Sequence, residues 1–257
     1  MSNVRKLWII SAFLLSTLVG VGQSELYDEP VIIYSHQMYG GLHAHSTGWG
    51  GTFTLGKYKG AHKIWLYSLD MLHMKHEKEI KSFNPVYDNS KSYVYGKLNS
   101  FFVIRPGIGR KKILTDKLRQ SGVQVGYTWG LGLSGGITKP VYLEIGYPSI
   151  PYDYLAVERY DPDRHYFDDI YGRASGLNGL EELKFYPGAF AKFALNFEYS
   201  NEKDRLKGLE VGAVLDAYPS RIPIMAENVG ELEGIQNENL FLNFYINLFI
   251  GKKYNKR

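Results

Sequence analysis

Hydrophobic and polar positions alternate with a period of two along most of the chain, and the last segment shows it most clearly. In residues 239–252, Leu240, Leu242, Phe244, Ile246, Leu248 and Ile250 occupy one parity. Asn243, Tyr245 and Asn247 occupy the other, with Phe241 and Phe249 among them. A period of two places these sets on opposite faces of a strand. The apolar face is long enough to cross a bilayer at a strand tilt.

The same alternation predicts eight strands. The first runs from about Gln37 to Ser46, with Met38, Gly40, Leu42 and Ala44 on one face. The second covers about Gly50 to Tyr58. The third, about Lys63 to Lys75, turns Trp65, Tyr67, Leu69 and Met71 one way and Ser68 and Asp70 the other. The fourth, about Ser100 to Arg110, sets Phe102 and Ile104 against Arg105. The fifth covers about Gly122 to Ile137, with an extension through Val141 to Tyr147 left open. The sixth, about Gly188 to Tyr199, sets Ala191, Phe193, Leu195 and Phe197 against Lys192, Asn196 and Glu198. The seventh, about Lys207 to Tyr218, sets Leu209, Val211, Ala213, Leu215 and Ala217 against Glu210 and Asp216. The eighth is the terminal strand. Many of the 28 glycines fall inside these segments, which suits the bends of a small barrel and not helices.

An even strand number with both ends on one side predicts an all-β, antiparallel, up-and-down transmembrane barrel spanning 37–252, a sheet with no edges. The inward set is then polar: Gln37, Tyr39, His43, Asp70, Arg105, Lys192, Glu198, Glu210, Asp216 and Asn243. A lumen of eight strands is filled by side chains. Connections at one end are long (76–99, 148–187, 219–238), apart from a tight turn at Thr47-Gly48. Those at the other end are shorter (59–62, 111–121, 200–206). Long outer loops and short periplasmic turns are the asymmetry of outer-membrane barrels.

The N-terminus agrees with export. Arg5 and Lys6 precede an apolar run, Leu7 to Val21, and small residues at Gly20-Val21-Gly22 predict cleavage near Gln23. Residues 1–22 are read as a cleaved signal peptide, 23–36 as a periplasmic segment, and 253–257 as a basic tail. With no cysteine, disulfides, thiolate metal sites and a lipoprotein anchor are excluded. A mean hydropathy of -0.25 does not separate a barrel from a secreted protein, because barrel strands alternate. The 21 Tyr, 13 Phe and 4 Trp suit aromatic girdles, although a secreted β-sandwich could share them. Net charge is +4, with no basic stripe for nucleic acid.

Charge is uneven. The expected inner turns are basic: Lys57, Lys59 and Lys63; Arg110, Lys111, Lys112, Lys117 and Arg119; Lys203, Arg205 and Lys207. The expected outer loops are acidic, including Asp153, Glu158, Asp161, Asp163, Asp168, Asp169, Glu181, Glu182, Glu227, Glu231, Glu233 and Glu238. Divalent ions bridging the acids, an acidic partner on the basic face, and plain solvated turns all fit.

No candidate chemistry reaches the status of a site. Gly132-Leu133-Ser134-Gly135-Gly136 matches G-x-S-x-G but lacks a strand-turn-helix context, and reads as a glycine-rich strand. His43 and His45 share a face, with His36 on the opposite parity and no third metal ligand evident. With Ser46 near an outer rim they could serve a lipid-modifying enzyme, but polar filling is the simpler reading. Asp161-Pro162-Asp163-Arg164-His165 with Asp168-Asp169 gathers carboxylates without calcium-loop spacing. Lys75 to Lys81 is a charge run, read as a solvated loop or short helix. Gly107-Ile108-Gly109-Arg110-Lys111-Lys112 is no phosphate loop. No catalytic, cofactor or metal residues are assigned.

The export signal, the eight segments and the aromatic closing strand with Gly251-Lys252-Lys253-Tyr254 resemble small outer-membrane β-barrels of the Bacteroidota type, as do the Tyr-rich loops. That resemblance implies an outer-membrane location and contact with outer-membrane lipid and lipopolysaccharide. It also implies a non-enzymatic structural or accessory role in a secretion or outer-membrane assembly complex, through other envelope proteins. It carries over no functional residue. A lipid A- or phospholipid-modifying enzyme, and a small pore or ligand-binding barrel, are the alternative expectations.

Overall fold

The computed structural model describes residues 34–85, 89–117, 122–147, 153–227 and 234–255. The expected signal peptide lies outside them, as does most of the segment that follows it. The strands are β1 (His36–His45), β2 (Gly48–Tyr58), β3 (Lys63–Met74), β4 (Lys81–Ser82), β5 (Tyr93–Val94), β6 (Asn99–Thr115), β7 (Gln124–Pro140), β8 (Tyr142–Tyr147), β9 (Tyr154–Arg159), β10 (Ile170–Arg173), β11 (Lys184–Glu198), β12 (Arg205–Ala217) and β13 (Leu240–Tyr254).

Eight of them close an antiparallel barrel in the order β1-β13-β12-β11-β7-β6-β3-β2. Closure is made by β1 on β13, in register from His36↔Tyr254 to His45↔Tyr245. Every barrel strand therefore has two partners, and no row of backbone N–H and C=O groups is left at an edge. Lys253 and Tyr254, expected in a tail, belong to this ladder.

The sidedness inverts that of a water-soluble domain. On β13, Ile246 is 51% exposed while its neighbour Asn247 is 3% exposed. Leu42, Phe53, Tyr67, Met71, Leu131, Phe193, Leu242, Phe244 and Leu248 are likewise exposed on the outer wall. The interior holds Gln37, His43, Asp70, Arg105, Asn196, Glu198, Glu210, Asp216, Asn243 and Asn247. Water would penalise this arrangement at every outward position, whereas hydrocarbon favours it. It is the sidedness of a transmembrane barrel. At the turn end, the Arg110 guanidinium lies 4.1 Å from the Trp65 ring centroid and 5.8 Å from that of Trp129, a girdle that suits a headgroup boundary.

The short connections are residues 59–62, 116–123 and 199–204. The expected turn at 111–121 is displaced, because β6 continues to Thr115. Lys111, read from sequence as a turn charge, is instead a buried lumen residue. Its parity matches Arg105, and six residues of extended chain keep it on the same face.

At the opposite end, the loops build structure of their own. The chain breaks at Val141, so Tyr142–Tyr147 leaves the barrel wall and does not extend β7. It forms a three-stranded sheet, β10-β8-β9, over a cluster of Tyr93, Leu143, Ile145, Tyr160 and Ile170. β4 and β5 pair beside it.

Because the outer wall is the hydrocarbon face, Ile246→Arg should cost about 2–4 kcal/mol of unfolding free energy in bilayers. Reversible denaturation from lipid vesicles measures this. A cost under about 0.5 kcal/mol, typical of an exposed surface position in water, would contradict the assignment.

Candidate functional site

The lumen is the most polar region of the barrel. Arg105 donates through Nε to Asp216 Oδ1 at 2.7 Å, and through Nη2 to Asp216 Oδ2. Ser134 Oγ lies 2.8 Å from Asp216 Oδ1 and 2.8 Å from the Tyr218 hydroxyl. A bidentate guanidinium-carboxylate pair, with the acid further hydrogen-bonded, offsets the desolvation of two buried charges. Deeper in the lumen, Lys192 Nζ contacts Asp70 Oδ2 at 3.2 Å, and Asn196 Nδ2 donates to Thr128 Oγ1 at 2.7 Å. Tyr245 donates to Glu210 Oε1 at 2.6 Å. At the turn end, Glu198 Oε1 receives Lys253 at 2.7 Å and Lys117 at 3.3 Å.

Aromatic and aliphatic groups fill the remaining space. The Phe190 ring occupies the room that two inward glycines leave, since a Cβ at Gly107 would lie 2.5 Å from its Cζ and one at Gly132 would lie 2.9 Å from its Cε1. Between His43, Asp70, Lys192 and Glu210 a void of about 10 Å³ remains, on the order of one water.

The sequence candidates fall into this frame. Ser134 of the G-x-S-x-G run is a buried strand residue bonded to Asp216 and Tyr218, with no elbow and no adjacent histidine base. His43 faces the lumen and stacks on Tyr245 at 4.4 Å between centroids, and neither of its ring nitrogens has a hydrogen-bond partner. His45 Nδ1 meets Thr47 Oγ1 at 3.2 Å, while Ser46 and Thr47 both donate to Asn243 Oδ1, at 2.9 and 2.7 Å. The structure thus brings His43, His45 and Ser46 to one inner rim facing the lumen. His36 lies at the other end of β1, 2.9 Å from Ser35 Oγ.

In the 161–169 loop, Asp161 Oδ1 accepts the Asp163 N–H at 3.1 Å, and His165 is buried, with Nδ1 on the Asp161 N–H and Nε2 3.2 Å from Glu158. These carboxylates and this imidazole brace the loop. Among the described residues no group of three or more His, Cys, Asp or Glu is placed to hold a metal ion. In the 75–81 charge run, Glu79 is drawn into a nearly buried ion pair with Lys97 at 2.6 Å. Residues 75–80 form a turn and not a helix.

Sequence reading missed the closure of the loop end. The 218–239 connection lays Ile222, Ile224 and Met225 on Met74, Phe101, Val103 and Tyr218 at the top of the lumen. All three are essentially inaccessible. Backbone bonds fix the plug: Leu98 N to Ile224 O at 2.9 Å and Ala226 N to Gly96 O at 2.7 Å. The Asn237 amide completes it, accepting from Ile224 N and Met225 N and donating to Met225 O at 2.8 Å. The one legible signal was the apolar run Ile222-Pro223-Ile224-Met225-Ala226 in an otherwise polar connection.

Glu227 accepts from the Asn237 backbone N–H at 2.8 Å and from its side chain at 3.0 Å, and these bonds hold its carboxyl below the usual range.

No protein-family model matches the chain, and no curated protein matches it. Among solved structures, the crystal structure of Neisserial surface protein A (NspA) is similar to it with a TM-score of 0.40 and 10% identity, over 85% of this chain and 96% of that one.

Two outcomes follow from the geometry. Arg105→Met alone should destabilise the barrel by about 3–5 kcal/mol by stranding Asp216, whereas Arg105→Met with Asp216→Leu should recover much of that loss. Equal losses in the single and double variants, measured by denaturation in lipid, would refute the pairing. For Glu227, a depressed folded pKa means the stabilisation is present above the unfolded value near 4.3 and is lost as pH falls through the folded value. Amide exchange at Ile224 and Met225 should therefore quicken below about pH 4, and Glu227→Gln should remove that acid dependence. Exchange unchanged by acid would contradict the role of Glu227.

Proposed function

We propose that the protein is an integral outer-membrane barrel with a non-enzymatic, structural or accessory role in a cell-envelope complex. In this reading the plugged end faces outward and both ends of the described chain face the periplasm. The observation that carries it is the division of the molecule into an apolar wall around a filled lumen and a folded crown. A filled lumen supports a scaffold in preference to a conduit. A crown with its own core supports a recognition surface, because a merely solvated loop needs no core.

Within the crown, β9 is an edge strand of its sheet. Its Tyr154, Leu155 and Val157 side chains are exposed, with Leu155 at 39% and Val157 at 53%. An exposed strand edge with apolar side chains is a template for pairing with another chain. The Bacteroidota-type resemblance of the sequence supports the same assignment, since accessory subunits of secretion and assembly machines occur in that group. Outer-membrane lipid is the barrel's surround, and other envelope proteins are its partners through the crown or the basic turn end.

Mild detergent extraction at native expression should yield a species larger than one barrel with its micelle. Leu155→Lys with Val157→Lys should return it to a single barrel without loss of folding, followed by heat-modifiable migration. A solely monomeric native profile would refute the accessory role.

A further inference from the structure

We propose that a cleft in the loop-end half of the outer wall, formed by β1, β2, β3 and β6, seats an acyl chain of lipid A, with Lys75 meeting a phosphate. The proposal rests on the outer-membrane reading above. Across these strands the outward row runs Leu42↔Gly51↔Met71↔Ile104. Of these four positions Gly51 alone lacks a side chain. Trp49 and Phe53 stand above and below it on β2, both exposed. The result is a cleft of about 510 Å³, lined by Leu42, Trp49, Gly51, Met71, His73 and Phe102 among others.

The glycine is not required by crowding. A Cβ at Gly51 would come no closer than 3.8 Å to any neighbour, the carbonyl of Gly41, and its φ lies outside the left-handed region. The adjacent Gly50 is different, since a Cβ there would lie 2.1 Å from Met71 O. Along the same row, Gly135 pairs with Ile104. There the chain covers the gap itself, with the Phe185 ring 2.8 Å from the Cβ position. Gly40, the other outward glycine of this wall with room to spare, does not line the cleft. The chain fills the hollow at Gly135 and leaves the one at Gly51 to its surround.

Inside hydrocarbon such a hollow forfeits dispersion contacts unless something conforms to it, and a flexible alkyl chain does so. Charge at the rim selects the headgroup. Lys75 continues the outward column of β3 just beyond His73 and is exposed. Its backbone N–H is bound to Thr47 O, and its ammonium has no ion-pair partner among the described residues. The nearby Glu79 is taken by Lys97. Lys139, on the same end of β7, instead donates to the carbonyls of Gly176 and Asn178. A free ammonium at the headgroup level attracts phosphate, and the loop-end half corresponds to the leaflet that holds lipid A.

The test is native mass spectrometry of the refolded barrel in lipid-free micelles, titrated with monophosphoryl lipid A. One bound lipid is expected. Gly51→Leu should lower its retention about tenfold. Lys75→Gln should lower it several-fold, but leave retention of a dephosphorylated lipid A unchanged. Phe193→Leu, on a strand that does not border the cleft, should have no effect. Equal retention by the Gly51→Leu and unsubstituted proteins, meaning annular lipid only, would overturn the proposal. So would equal binding of phosphatidylglycerol, or a partner protein and no lipid in the cleft. Heat-modifiable migration is read for each variant. Failure of the unsubstituted chain to insert would count against the barrel reading itself, and is distinct from loss of lipid by a folded Gly51→Leu barrel.

Discussion

The structure depends on the pairing of β1 with β13. A sheet inserted in hydrocarbon cannot expose backbone N–H and C=O groups, because each unmade bond costs several kcal/mol where no water can replace it. Ten register pairs, from His36↔Tyr254 to His45↔Tyr245, remove the last free edges. Once the sheet is closed, the pleat sends alternate residues to two environments that never mix. Outward residues must suit lipid, and inward residues must suit one another.

The second demand explains the interior. An enclosed lumen too narrow for bulk water requires polar groups that pair. Arg105 with Asp216 is the central pair, and Ser134 and Tyr218 extend it. Lys192 with Asp70, and Glu198 between Lys117 and Lys253, repeat the device lower down. Apolar groups close the ends: Ile64, Leu66 and Ile113 near the turns, and Ile222, Ile224 and Met225 under the loops. Among the described residues the polar lumen is thus capped at both ends by buried apolar side chains.

The barrel was legible because period-two alternation reports on each strand locally. Arg105 against Phe102 and Ile104, or Asp216 against Leu215 and Ala217, needs no knowledge of the partner strand to assign a face. The crown was not legible for the opposite reason. The alternation leaves open whether Val141 to Tyr147 extends β7, and only the long-range pairing of Tyr142–Tyr147 with β9 and β10 shows that it leaves the wall. Lys111 was misplaced because a lysine in a basic run looks like a turn, although its parity with Arg105 pointed inward. The convergence of Ser46, Thr47 and Asn243 joins positions nearly two hundred residues apart, which no local pattern carries. The cleft at Gly51 was hidden among glycines that crowding does explain.

The central claim is that the apolar face of the wall meets lipid and the polar face meets a filled interior. The chain has no cysteine, so single cysteines carrying a spin label can be placed one at a time from Leu242 to Ile250 in reconstituted bilayers. Oxygen accessibility should alternate with a period of two, high at Leu242, Phe244, Ile246, Leu248 and Ile250, and low at Asn243, Tyr245 and Asn247. The reverse phase, no alternation, or high accessibility of the outward set to a water-soluble nickel reagent would contradict the account.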